Sequence, residues 1–428
     1  MIQAAYLIRS GIHVVIGVGH EIVQNLDRLP PGIFFGKGLN VVQRNLLQNV
    51  SDHGHIPVVV DEECLGIADP WYMMRDVADD IAGHVHTIYC QGKVQRDALS
   101  ELRFVPDEKL ELTGNPRVDL MREPFLTLHD EYSETLRKQN GRFILINTNS
   151  GSVNNLWGDL SVYKNILAEI GWADPDNEDD QRLVEDHIEH DRNNVRAIED
   201  FVRELTNRAS DIPLVLRPHP SERPEPWTEF AKNFQNLTVV SDSELAPWLL
   251  ASALVVTTGC TTAAEAIVMG KDAISLIAQP DHVRHPDFFL ANVVAHKETN
   301  AARAAETAIS VLRGDRRTIE RDKASRRSAL ANHIDDGRDG PAFEKIGDHL
   351  TSLVRAYHDN SWNSERLDQV SLKNDLEVKK ISWEKAYCSP QEMGERLSNL
   401  LKILRWELSG DLKSLGYGTY LLSPTRKA

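Results

Sequence analysis

The chain has 428 residues, 41% of them hydrophobic and 7% aromatic, enough apolar material for two or three ordinary domains. Its formal net charge of −16 excludes sequence-independent binding to nucleic acid. No apolar run reaches the length of a membrane span. Cys64, Cys90, Cys260 and Cys388 are too scattered for a metal site, which fits a reducing cytoplasm.

Ile2 to Ser10 reads as an amphipathic helix, followed by Gly11 and a strand at His13–Ile16. The start carries no signal-peptide pattern. An α/β domain usually opens with a strand, so two readings stand: a first strand is missing ahead of Met1, or the fold begins with a helix. Gly17-Val18-Gly19 reads as a strand-to-helix turn, because a lone Gly-x-Gly is weak evidence for a nucleotide loop. Further strands are expected at Gly32–Phe35, Pro57–Val60, Thr87–Tyr89 and Leu110–Leu112, and their alternation with helices predicts a parallel sheet. Gly114-Asn115-Pro116-Arg117 breaks that pattern, and Val118 to Lys138 reads as a polar helical connection.

A second α/β unit follows, with strands expected at Phe143–Asn147, Pro213–Leu216, Leu237–Val240, Leu254–Thr257 and Ala273–Leu276. Between the first two lies the acidic, Asn-rich stretch Ala173 to Asp200, which reads as a solvated loop. It lacks the spacing of a calcium loop. From Thr299 the chain reads as helix, at Ala301–Leu312 and Pro341–Tyr357. Residues 358–428, with Trp362, Trp383 and Trp406, show no strand pattern and read as a helical appendage. The expected division is an N-terminal domain over 1–125, a second over 140–355 with an insert at 173–200, and a tail over 356–428.

Ligands of open α/β sheets bind beyond the carboxyl ends of the strands, and polar motifs fall at four such ends. Asp61, Glu62 and Glu63 follow the apolar run Ile56–Val60. Three adjacent carboxylates suit a general base, since like charges raise a neighbour's pKa, and they equally suit the start of a helix. Arg217-Pro218-His219-Pro220 is a stiffened loop in which Arg presents a planar fork to phosphate, with Ser221 and Glu222 next. Thr258, Gly259, Thr261 and Thr262 precede or open a helix whose free N–H groups suit an anion, and Glu265 could accept from a ribose; an ordinary helix cap is the alternative. Cys260 reads equally as a small buried residue or a nucleophile, with no local His or base pattern to support catalysis by it. Asn147 and Asn149 stand in a polar turn, Asn115 and Arg117 in the connection; all four are candidate cleft contacts, a simple turn being the equal alternative for Asn147 and Asn149.

Three segments carry a resemblance: Gly114 to Asp119 (GNPRVD), Leu216 to Glu222 (LRPHPSE) and Gly259 to Gly270 (GCTTAAEAIVMG). They resemble the bacterial surface carbohydrate biosynthesis proteins of capsule and lipopolysaccharide, over residues 1–355 less the insert. That resemblance implies an α/β fold of two Rossmann-like domains in GT-B arrangement, facing a cleft. More distantly, bacterial sialyltransferases and Kdo transferases carry an acidic pair followed by Gly, then a His-Pro motif. Asp61-Glu62-Glu63 and His219-Pro220 match in that order, although Cys64 stands where Gly is expected. The likeness implies a carboxylate base on the acceptor hydroxyl, and His219 and the Thr residues on a CMP phosphate. UDP-GlcNAc 2-epimerases share a Gly-Asn-x-x-x-Asp segment, a His-Pro-like loop and a Gly-led phosphate helix.

The implied function is a glycosyltransferase using a nucleotide-sugar donor and a glycan or lipid-linked acceptor, without metal or cofactor. It would be cytoplasmic, with peripheral association at the inner membrane left open. The alternatives are a sugar-nucleotide epimerase or hydrolase, and a non-catalytic scaffold. Oligomeric state is not encoded in these motifs.

Overall fold

The computed structural model describes residues 1–75, 77–169, 172–241, 244–278, 287–335, 337–357, 370, 388–407, 410–416 and 418–424. Thirteen strands occur among them: β1 (Val14–Ile16), β2 (Ile33–Gly36), β3 (Ile56–Val60), β4 (Thr87–Cys90), β5 (Leu110–Leu112), β6 (Ile144–Asn147), β7 (Leu214–Arg217), β8 (Leu237–Val239), β9 (Leu254–Thr257), β10 (Ala273–Leu276), β11 (His296–Glu298), β12 (Gly410–Gly416) and β13 (Thr419–Pro424). The chain divides into two compact units. The first comprises Met1–Glu62, Asp76–Leu128 and Asp335–Ala428; the second comprises Glu63–Arg75 and His129–Ile334. Both are α/β, as the alternation of strands and helices predicts.

The second unit holds a parallel sheet in the order β8-β7-β6-β9-β10-β11. Counted from its own first strand this is 3-2-1-4-5-6, the doubly wound order, and its direction reverses between β6 and β9. Ile144, Ile146, Leu214, Leu216, Leu254 and Val256 are fully or almost fully buried, as strands covered on both faces require. The helices Glu178–Arg208 and Ala301–Leu312 supply Ile198, Phe201, Val202, Leu205, Ala304 and Ala308 to this core.

The long helix corrects the reading of 173–200 as a loop. Its buried side chains include Leu183, Val184, Ile188, Asp191, Ile198, Phe201, Val202 and Leu205, a helical period that the acidic composition conceals. Glu178, Asp179 and Asp180 occupy its first turn, where the helix dipole favours negative charge, and the Asn177 side chain accepts from the Asp179 and Asp180 N–H groups.

In the first unit the parallel sheet runs β2-β3-β4-β5. Val58, Val60 and Tyr89 pack against Ile346, Leu350 and Leu353 of the helix Ala342–Tyr357. The helix Ile2–Arg9 lies on that same helix, and a Cβ at Gly347 would overlap the Tyr6 ring, so glycine sets the close approach.

Two expectations fail here. β1 does not join the parallel sheet; it pairs antiparallel with β13 (Val14↔Leu422, Val15↔Leu421, Ile16↔Tyr420), in a separate sheet ordered β1-β13-β12. The C-terminal segment is therefore not a purely helical appendage. It contains the helix Pro390–Leu404, started by a Ser389/Glu392 capping box, and then the β12–β13 hairpin. Trp406 packs on Tyr6 and Phe343, with the Arg9 guanidinium 4.5 Å from its ring; Trp362 and Trp383 lie outside the described residues. The short edge strand β11, built from His296, Lys297 and Glu298, has no apolar pattern to announce it.

Candidate functional site

Register places three polar residues side by side at the carboxyl ends of the second unit's central strands. Arg217 on β7 is level with Asn147 on β6, and Asn147 is level with Thr257 on β9. All three are buried: Arg217 is 4% exposed, Asn147 3% and Thr257 0%. The row crosses the point where the strand order reverses. The Asn147 Oδ1, Thr257 Oγ1 and Thr258 Oγ1 atoms have no hydrogen-bond partner, and the same holds for Asn154 Oδ1 in the turn after β6. Native interiors leave few such atoms unpaired. Four such atoms belong to residues at or just after the strands flanking the strand-order reversal.

The turn after β6 is held by Glu222. Its buried carboxylate accepts from Thr148 Oγ1 (2.8 Å), Ser150 N (2.9 Å), Ser150 Oγ (2.8 Å), Asn154 Nδ2 (3.3 Å) and Trp227 Nε1 (2.9 Å). Both oxygens are thus committed to the protein. Glu222 thereby ties the 148–154 turn to the loop after β7. From the long helix, Asp191 accepts from Ser152 N (3.0 Å) and Ser152 Oγ (2.5 Å) and fixes the other side of the turn. Asn149, half-buried, lies in this turn between Thr148 and Ser150.

His219 is exposed on the loop after β7. Its Nδ1 accepts from Ser221 N (3.2 Å) and sits 2.6 Å from Ser221 Oγ. That network assigns the ring proton to Nε2 in the neutral form. Ser221 therefore orients His219. A Cβ at Gly151 would stand 2.6 Å from Ser221 Oγ, which keeps the two loops in close contact.

Beyond β9 the backbone turns through Gly259 at φ +77°, and a Cβ there would lie 2.8 Å from Phe289 Cδ2. Glycine is required on both counts. Gly259 N donates to Ser275 Oγ (3.3 Å), which donates to Asn292 Oδ1 (2.5 Å). The helix Thr261–Val268 starts at once, and Cys260 at its N-cap makes no side-chain cap. Burial pushes the Cys260 thiol up, away from the thiolate form, so it is an inert packing residue. Thr262 and Glu265 are buried; Thr261 is half-buried, and its Oγ1 would be 2.7 Å from a Cβ at Gly66.

In the first unit Asp61 is buried directly after β3. Glu62 is half-buried, its N–H donates to Lys37 O (3.0 Å), and its Oε2 lies 3.6 Å from Arg117 Nη1. A pair so exposed contributes at most about 1 kcal/mol, so it orients the carboxylate more than it stabilises the fold. The side chain of Glu63 lies outside the described residues. Asn115 caps the short helix Pro116–Asp119, its Oδ1 accepting from Arg117 N (2.8 Å), while its buried Nδ2 has no partner. Asp119 accepts from Phe343 N (2.8 Å), and burial raises its pKa. The GNPRVD segment therefore has a structural duty, anchoring the helix Ala342–Tyr357.

Sequence reasoning placed Thr257, Ser150 and Asn154 in or beside the polar turns at these strand ends without giving them a role, and it missed Ser152 and Asp191. Asp191 carried no signal, since its partner is 39 residues away. Among the described residues no group of three His, Cys, Asp or Glu side chains could hold a metal ion. No helix among them is long and apolar enough to cross a membrane.

No protein-family model and no curated protein matches the chain. Solved structures do resemble it. The wall teichoic acid polymerase TagF, in its H548A form, is 9% identical over 72% of this chain and 70% of its own, with a TM-score of 0.46. The UDP-GlcNAc 2-epimerase of Methanocaldococcus jannaschii, in complex with UDP-GlcNAc and UDP, is 13% identical over 78% and 79%, with a TM-score of 0.47. MnaA of S. aureus, in complex with UDP, is 14% identical over 80% of each chain, with a TM-score of 0.45. At such identities and scores the likeness carries no conclusion about activity.

Proposed function

We propose that this chain is a nucleotide-sugar-dependent glycosyltransferase of surface-polysaccharide assembly, with its donor held by the second unit. The observation that carries this reading is the row Arg217–Asn147–Thr257 at the strand-order reversal, with its unpartnered buried atoms. A guanidinium supplies charge and a planar fork for a phosphate. The unpaired hydroxyls and amide oxygens suit ribose and base. The N–H groups opening the helix Thr261–Val268 add donors on the β9 side.

On this reading Arg217, His219 through its Nε2–H, and Thr258 to Thr262 bind the donor phosphate and stabilise the departing nucleotide. Asp61 or Glu62 takes the proton from the acceptor hydroxyl, and Asn115 Nδ2 and Arg117 orient that acceptor. The acceptor is a glycan or a lipid-linked glycan, and the work is cytoplasmic.

A thermal-shift panel of CMP, CDP, UDP, GDP and dTDP tests the reading, on the full chain and on His219→Ala. A ligand that binds only the native state raises its stability by mass action, by about 2.7 kcal/mol at a hundredfold excess over Kd. Stabilisation by one nucleotide class, reduced at least tenfold in affinity by the substitution, is the expected result. No shift with any nucleotide would remove the donor site. Turnover of the matching nucleotide sugar to an epimer, with no acceptor present, would replace the transferase by an epimerase.

A further inference from the structure

A small cavity of about 60 Å³ lies in the second unit at the amino end of β10, the end of the sheet opposite the Arg217–Asn147–Thr257 row. Its charged lining is Lys271, Asp272, Lys323, Arg326 and Arg327, four cations against one carboxylate. The rest of the wall is backbone and aliphatic side chains such as Ile267 and Ile319. The segment 313–327 beside it carries seven Lys and Arg residues against three Asp and Glu, in a chain whose net charge is −16.

Asp272 does not balance the cluster. Its Oδ2 pairs with Arg316, a cation outside the lining, and its Oδ1 stands 3.9 Å from Lys323 Nζ. Lys323 also pairs with Glu320 (2.7 Å). Lys271 and Arg326 form no ion pair among the described residues and donate to backbone instead. Lys271 Nζ donates to Leu250 O (3.0 Å), and Arg326 Nη2 to Ile319 O and to Arg321 O (3.1 Å). Arg327, exposed at the cavity's edge, has no hydrogen bond or ion pair among the described residues. Burial holds the Lys271 ammonium below its ordinary pKa, Arg137 pushes it the same way, and Asp272 offsets only part.

Cations often gather where a helix ends, because its last carbonyls are unpaired. The helix Thr261–Val268 ends beside this cavity, but its carbonyls at Glu265, Ala266 and Ile267 already accept from the Met269, Lys271 and Gly270 N–H groups. The backbone fills that duty, and the charges of Lys271, Arg326 and Arg327 stay without a carboxylate partner. A space of this size holds several waters, at about 10–15 Å³ each, or one small polyatomic anion, and no nucleotide. Arg presents a planar fork of donors to a tetrahedral oxyanion, and Lys a compact point charge.

We propose that this cavity is a binding site for inorganic phosphate, held by Lys271, Arg326 and Arg327, with Lys323 completing the ring. The bound ion ties the helix Lys323–His333 to the turn before β10. The proposed donor site lies at the carboxyl ends of the strands, so this inference does not rest on the transferase reading.

Isothermal titration of inorganic phosphate into the full chain tests it, in chloride buffer at fixed ionic strength. Four proteins are compared: the parent, Arg327→Gln, Lys271→Gln and His219→Ala. The expected result is a saturable site with a Kd of about 1 mM or tighter, about tenfold weaker in Arg327→Gln and in Lys271→Gln and unchanged in His219→Ala. Arg327→Gln removes an exposed side chain without partners, so its melting temperature without phosphate stays at the parental value and lost binding is separated from lost folding. Binding weakened in His219→Ala and kept in both cation variants would move the ion to the donor site and overturn the proposal. No saturable binding up to about 20 mM, or equal affinity in all four proteins, would overturn it as well.

Discussion

Glu222 offers the sharpest test of how the second unit's site is held. Its carboxylate takes five hydrogen bonds, three on Oε2 from Ser150 Oγ, Asn154 Nδ2 and Trp227 Nε1, and two on Oε1 from Thr148 Oγ1 and Ser150 N. Glu222→Gln keeps the shape and exchanges one acceptor oxygen for a donor NH₂. With the amide oxygen kept at the Oε2 position, the NH₂ faces Thr148 and Ser150 N–H. Thr148 can rotate its hydroxyl to accept; the backbone N–H cannot. One buried donor is left opposing another donor, which costs about 1–3 kcal/mol. Glu222→Ala strands all five donors, but water filling the space restores part of the loss, so about 3–5 kcal/mol is expected rather than five full penalties. For a unit of this size each kcal/mol lowers Tm by about 2–4 °C. Differential scanning calorimetry on the full chain reads this as a fall in the second unit's transition, larger for Ala than for Gln. If Glu222 instead touched the ligand, Glu222→Gln would keep the wild-type transition and lose nucleotide affinity. A Gln variant as stable as the parent, together with an Ala variant within about 0.5 kcal/mol of it, refutes the positioning role.

Three further outcomes follow from the same geometry. Thr257→Val removes an unpartnered buried hydroxyl, so the free protein keeps or gains up to about 1 kcal/mol in urea unfolding, while the nucleotide found in the thermal-shift panel binds about tenfold more weakly; unchanged affinity contradicts the site. Gly259→Ala forces a side chain into a positive-φ turn against Phe289, and a loss of about 2 kcal/mol or more is expected, with a wild-type midpoint counting against the strain. His55 is buried, accepts from Gly32 N on Nδ1, and faces Leu26 O through Nε2; burial lowers its pKa below the ordinary value of about 6.5. The unfolded chain then binds the proton more readily than the folded one, so its contribution is present above the unfolded value and is lost as pH falls through the lowered folded one. The first unit's stability should decline on acidification below about pH 6.5, more steeply than in His55→Gln, and equal slopes in the two proteins would dismiss the effect.

Much of the fold was legible because its signals are local. The runs Ile56–Val60, Ile144–Ile146 and Leu254–Val256 are apolar over the length of a buried strand, and polar residues stop each one. Gly259 and the threonines after it announce a strand-to-helix turn from composition alone. The acidic stretch was misread because charge density outweighed period: Leu183, Ile188, Ile198, Phe201 and Leu205 recur at helical spacing among the carboxylates. The C-terminal hairpin had its own punctuation, Gly416 and Gly418 at φ 142° and 64° between Leu415 and Thr419-Tyr420, but its partner strand lies some four hundred residues earlier.

The sequence by itself determined the strands β1 to β10, that they build two α/β units, and that Arg217, His219 and the Thr258–Thr262 turn stand at strand ends. Those properties depend on neighbours a few residues away, through side-chain period and turn chemistry. Only the tertiary structure decided that Arg217, Asn147 and Thr257 share one row, that Glu222 is consumed by the turn it holds, and that β1 leaves the parallel sheet for β13. Pairing partners and unpartnered atoms are set by contacts across 70 to 400 residues of chain. A hydrogen bond made or missed at that separation leaves no trace in the local pattern.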